Sequence, residues 1–121
     1  MPCWPMPKKG APPLQGELLQ GTLELLILQT LILGPAHGHT IAYAIEHRSD
    51  DVLQVEHGSL YPALHRLERK GLLASRWESP KGKTREVKLY ELTTAGRKQL
   101  VAEESRWNQI ARAIARVLKP A

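Results

Sequence analysis

The stretch Gly58-Ser59-Leu60-Tyr61-Pro62-Ala63-Leu64-His65-Arg66-Leu67-Glu68-Arg69-Lys70-Gly71 decides how this chain folds. Leu60, Leu64 and Leu67 recur at helical spacing and share one side, while His65, Arg66, Arg69 and Lys70 fall largely on others. A helix over about Ser59 to Lys70 therefore turns an apolar face to a core and a basic face outward. Pro62 fits it only in the first turn, where a missing N–H costs least, and Gly71 ends it.

Downstream, Leu72 to Glu78 and Arg85 to Leu92 read as two strands, joined by Ser79-Pro80-Lys81-Gly82-Lys83-Thr84. This is a hairpin with a basic tip. Thr93 is a suitable N-cap for a last helix reaching about Leu118, in which Leu100, Trp107 and Ile114 recur every seven residues with Ile110, Ala111, Val117 and Leu118 interleaved. That stripe is a seam for another helix. Upstream, Gly38 to Arg48 forms a short helix with Ile41, Ala42 and Ile45 facing inward, and Asp50 to Glu56 links it to the basic helix. A first helix, about Gln15 to Leu33, ends at Gly34 and Pro35. Its residues Leu18, Leu19, Leu23, Leu25, Leu26, Ile27, Leu28, Leu31, Ile32 and Leu33 occupy nearly every face. A chain this short has little material to cover such a helix, which points to a dimer.

With 121 residues, 42% of them hydrophobic, the chain has the composition of one compact domain. Its formal charge of +5 points to a polyanionic partner, and charge alone does not separate nucleic acid from an anionic membrane. The distribution is more informative. Between Glu17 and Glu56, the acids Glu17, Glu24, Glu46, Asp50, Asp51 and Glu56 are opposed only by Arg48. From His65 to Lys98, Arg66, Arg69, Lys70, Arg76, Lys81, Lys83, Arg85, Lys88, Arg97 and Lys98 outnumber Glu68, Glu78, Glu86 and Glu91. The polyanion is expected on the second half. The most aliphatic run, Leu23 to Leu33, is interrupted by Glu24, Gln29 and Thr30 and is about half the length a membrane span needs. Cys3 alone forms no internal disulfide, and Met1 to Pro13, with Pro2, Pro5, Pro7, Pro12 and Pro13, reads as an extended arm without the apolar core of a signal peptide. A cytoplasmic protein is expected.

Three helices followed by a β-hairpin form the order of a winged helix-turn-helix, in which the third helix enters the major groove and the hairpin reaches the flanking backbone. The expected fold is mainly α with a small β-hairpin (α+β). The arm covers 1–13, the winged helix-turn-helix 14–92 and a C-terminal dimerisation helix 93–118.

Four motifs carry a family resemblance. They are Gly21-Thr22-Leu23-Glu24-Leu25-Leu26-Ile27-Leu28, His37-Gly38, the run Gly58 to Glu68 through Tyr61 and Pro62, and Tyr90-x-Leu92-Thr93-x-x-Gly96. Over roughly Leu19 to Leu118 the chain resembles PadR-family transcriptional regulators, in the short branch with a single C-terminal helix. The resemblance implies a cytoplasmic homodimeric repressor of DNA. It places reading-helix contacts on Ser59, Tyr61, His65, Arg66 and Lys70, and wing contacts on Lys81, Lys83, Arg85 and Lys88. Glu86 and Leu89 stand where relatives commonly carry a basic residue and a second aromatic, so the returning strand touches phosphate less, and His39 replaces a usual tyrosine.

Individual side chains keep two readings each. Tyr61 either hydrogen-bonds a phosphate or packs the third helix on the first. Arg66 either forks onto guanine or contacts the DNA backbone, the commoner role. Trp107 lies on the seam with Leu100, Ile110, Ile114 and Val117, where it either holds the dimer or stacks a ligand. Some regulators of the resembled family sense flat aromatic molecules at such an interface, so a small aromatic effector is the candidate ligand. His37, His39, His47, His57 and His65 lack the Cys cluster, His-Glu-x-x-His helix or paired carboxylates of a metal site. No Gly-rich phosphate loop and no nucleophile-base pattern points to catalysis. The expectation is no metal, no cofactor and no enzyme. The competing function is a winged-helix protein interaction module that does not bind DNA.

Overall fold

The computed structural model describes residues 20–79 and 85–120. The Pro-rich arm, Leu18 and Leu19 of the first helix, and the hairpin-tip residues Lys81 and Lys83 lie outside the described residues. In chain order the elements are α1 (Gln20–Thr30), a 3-10 turn (Leu31–Leu33), β1 (Ala36–His37), α2 (Gly38–Arg48), α3 (His57–Arg69), β2 (Leu73–Glu78), β3 (Val87–Leu92) and α4 (Thr94–Leu118). The fold is mostly helical with a small antiparallel sheet, as the pattern of periodicities and breakers requires. No helix among the described residues is long and apolar enough to cross a membrane.

α1 is the central helix, touching α2, α3 and α4. Leu23, Ile27, Leu28 and Leu31 are buried there, and Leu25 and Leu26 pack partly buried against the same core. Within the described residues the chain itself covers most of α1, while Ile32 and Leu33 just beyond it stay exposed. Ile41 and Ile45 of α2, Leu60, Leu64 and Leu67 of α3, Leu73, Tyr90 and Leu100 complete the interior. Each such side chain contributes about 1.5–3 kcal/mol by leaving water.

α3 starts two residues earlier than its apolar pattern indicates, because the Glu56 carbonyl accepts from Ser59 N (3.0 Å) and Leu60 N (2.9 Å). Pro62 is thus the sixth helical residue and sits beyond the first turn. Its ring removes the N–H that would pair with the Gly58 carbonyl. Gly58 is exposed, so water can satisfy that oxygen.

The sheet has the order β1-β3-β2, and its third strand, β1, was not foreseen. Two residues after Pro35 give no readable alternation, yet Ala36 pairs with Tyr90 and His37 with Leu89. Between β2 and β3 the register sets Leu73 opposite Leu92, Ser75 opposite Tyr90 and Trp77 opposite Lys88. Those six side chains share the face turned toward α3, because alternate residues of a strand point the same way.

Thr93 caps α4 as expected: its Oγ1 accepts from Gly96 N at 3.0 Å and donates to the Gly71 carbonyl at 2.7 Å. α4 contains 25 residues, a length of about 37 Å. Only its first turns fold back onto the body. Leu100, read from sequence as part of the intersubunit seam, is instead 2% exposed in the chain's own core. The exposed stripe begins below it: against the described residues, Trp107 (48% exposed), Ile110 and Ile114 are about half exposed and Val117 is almost fully so.

Candidate nucleic-acid interface

At about 100° per residue, the buried side of α3 (Leu60, Ala63, Leu64, Leu67) lies opposite a ridge of Gly58, Pro62, His65 and Arg69. All four ridge residues are exposed. Tyr61 lies on the flank toward the strands, and Ser59, Arg66 and Lys70 on the flank toward α1. Arg69, exposed on this ridge, is not among the contacts that the resemblance implies. Placing the same leucines on a helical wheel is enough to find it.

Two carboxylates hold α3, one on each flank. Glu24 of α1, with its side chain only 13% exposed, accepts from Arg66 Nε at 3.0 Å and faces Lys70 Nζ at 3.4 Å. On the other flank Glu68 accepts from Ser75 Oγ of β2 at 2.5 Å and from Lys88 Nζ of β3 at 3.3 Å. The Ser75 hydrogen bond is the main reason that the Glu68 carboxyl titrates below its usual range, with burial opposing and Lys88 assisting. The Lys88 ammonium also lies 5.4 Å from the Tyr90 ring centre and 5.9 Å from that of Trp77.

Three cations expected to face DNA, Arg66, Lys70 and Lys88, each lie within ion-pair distance of a carboxylate, Arg66 and Lys88 largely buried and Lys70 on the surface. The acidic first half of the chain does not stay apart from the basic second half, because α1 brings Glu24 against α3. Ser59, Tyr61, His65 and Arg85 are exposed. Tyr61 packs on the start of α2 rather than on α1. A Cβ at Gly38 would stand 2.9 Å from its Cε1 and 3.1 Å from its hydroxyl, so glycine there gives the ring its seat. The His57 ring lies 5.8 Å from Tyr61 and 6.3 Å from His39. A groove of about 390 Å³ separates Tyr61 and His65 from Trp77, Lys88 and Tyr90, with Glu86 also in its lining.

A second groove, about 470 Å³, runs between α1, α3 and α4 past Leu25, Leu28, Gln99 and Glu103 to Arg106, the neighbour of Trp107 in sequence. Its described lining residues include no aromatic ring. Among the described residues no three His, Cys, Asp or Glu side chains converge as a metal-ligand group.

Comparison with known proteins agrees with this arrangement. Residues 27–102 match the family described as "Transcriptional regulator PadR-like family". The chain is 34% identical over 98 residues to "Transcriptional regulator Rv3488" of Mycobacterium tuberculosis, covering 81% of this chain and 87% of that protein. Its fold is similar to that of a transcriptional regulator from Clostridium thermocellum, with a TM-score of 0.77 and 26% identity over 83% of this chain and 96% of the other. It is likewise similar to a PadR family transcription regulator from Clostridium difficile, with a TM-score of 0.69 and 27% identity over 80% and 98% of the two chains. Regulators of this family bind DNA and are not enzymes. The match over residues 27–102, supported by a relative of this similarity and a shared winged-helix fold, makes the chain a member of the PadR family of transcriptional regulators.

Proposed function

We propose that the chain works in the cytoplasm as a homodimeric repressor, with residues 14–92 as the DNA-binding unit, 93–118 as the dimerisation helix and 1–13 as an arm. The observation that carries this reading is the exposed ridge of α3. It presents His65 and Arg69, with Tyr61 on one flank and Ser59 on the other, on a helix held by carboxylates on both sides. A helix held at a fixed angle suits entry into the major groove. Arg85, Lys81 and Lys83 on the hairpin then meet the flanking phosphates. The exposed apolar stripe of Trp107, Ile110, Ile114 and Val117 supports a second copy of α4 as the partner. Two reading helices one DNA turn apart, roughly 34 Å, call for an inverted-repeat operator. A small planar aromatic effector held beside Trp107 releases the dimer by favouring its DNA-free geometry.

A second reading, an interaction module that does not bind DNA, draws support from the internal pairing of Arg66, Lys70 and Lys88. Titration of duplex DNA at two salt concentrations separates the two. Phosphate contacts weaken steeply as salt rises, and a flat response favours the module. Sedimentation at micromolar concentration tests the dimer, and a folded monomer there refutes it. Footprinting on the chain's own upstream region tests the operator, and planar aromatics that quench Trp107 and alter operator affinity identify the effector.

A further inference from the structure

Trp77 is 63% exposed although it sits on the face of β2 turned toward α3. A large ring left open beside a reading helix is more informative than a scattered surface leucine, because indole is amphipathic and gains much from cover. Its partner across the strands, Lys88, is the one lysine or arginine in the described lining of the groove, and that ammonium is held by Glu68 at 3.3 Å. Glu86 adds a negative charge to the same lining. Among its described lining residues the groove therefore presents aromatic rings with indole N–H and phenol O–H donors, and its one lysine is already paired. Its opposite wall is Tyr61, pressed against Gly38.

We propose that this groove seats one deoxyribose of the DNA strand bordering the reading helix. Trp77 packs on the apolar C–H face of the sugar, while its indole N–H and the Tyr61 hydroxyl donate to the adjoining phosphate. The inference rests on DNA binding by α3 and adds a specific seat to it. The groove is continuous with the reading face, since Tyr61 and His65 belong to both. A sugar suits two aromatic walls better than a bare phosphate, which calls for unpaired cations. Contact of this kind is insensitive to counterions, so its signature differs from that of lysine or arginine.

The test measures duplex affinity of the full chain over a range of salt for Trp77→Ala, Trp77→Phe and Arg69→Ala. Trp77→Ala is expected to weaken binding about tenfold at every salt concentration with an unchanged slope, in keeping with aromatic contacts to nucleic acid. Trp77→Phe restores most of the loss. Arg69→Ala lowers the slope by about one unit. The emission difference between the wild-type chain and Trp77→Phe changes with the same midpoint as binding. Unaltered affinity of Trp77→Ala, or a lowered salt slope, overturns the sugar seat while leaving DNA binding intact. If the wild-type chain binds no duplex, both readings fall.

Discussion

Gly96→Ala tests how the dimerisation helix is joined to the DNA-binding unit. Gly96 lies in the first turn of α4 and is buried. A Cβ there would stand 2.1 Å from the Leu72 carbonyl oxygen and 3.0 Å from Leu92 Cδ2. The carbonyl cannot rotate away, because it accepts from Thr93 N at 3.2 Å, and Thr93 in turn caps α4 and bonds Gly71. Alanine in place of helical glycine gains up to about 1 kcal/mol. Forcing an extra carbon into a packed site costs about 1–3 kcal/mol, and with backbone as the obstacle the upper end applies. The net loss is about 2 kcal/mol, or a fall of about 8 °C in Tm at fixed protein concentration. Gly21→Ala is the control, since a Cβ at exposed Gly21 meets nothing within 4 Å, so it should hold or raise stability. Urea and thermal denaturation of both variants decide the matter. If Gly96→Ala melts at or above wild type, α4 is not pressed against the end of the strands and the join is looser than described.

Arg69→Ala should weaken duplex binding about tenfold, whereas Arg66→Ala should change the salt slope less because Arg66 is already paired with Glu24. Glu24→Gln leaves a three-quarters-buried Arg66 without its counter-charge and should cost about 1–2 kcal/mol in urea denaturation, short of the 3–5 kcal/mol of a fully buried pair. The same change frees Arg66 and Lys70 and should steepen the salt dependence of DNA binding. Glu68 titrates lower in the fold than its ordinary 4.5, so its bonds to Ser75 and Lys88 stabilise fully above that pH and fade as pH falls through the folded value. The stability difference between wild type and Glu68→Gln should therefore be largest near neutral pH and shrink below about 4.5; a difference that grows in acid would refute it.

Much of the architecture was legible in the sequence by itself. The period of Leu60, Leu64 and Leu67, the Thr93 cap, the stops at Gly34 and Gly71 and the alternation on either side of the hairpin are local signals, because helices and tight turns are closed by neighbours within a few residues. α2 was placed at both ends by the same means. The concentration of lysine and arginine after His65 was equally visible, and it pointed to the half of the chain that carries α3 and the strands. Which of those charges stay free was decided only by the tertiary structure. Glu24 reaches Arg66 and Lys70 across 42 and 46 residues of sequence, and Glu68 reaches Lys88 across 20. Nothing local encodes such pairs, since they depend on how α1 and the sheet are set against α3. β1 was hidden for the same reason: two residues become a strand only when β3 supplies their partners. Leu100 shows the limit of periodicity, for a heptad marks a stripe along a helix and leaves open whether the chain's own core or a second molecule covers each turn.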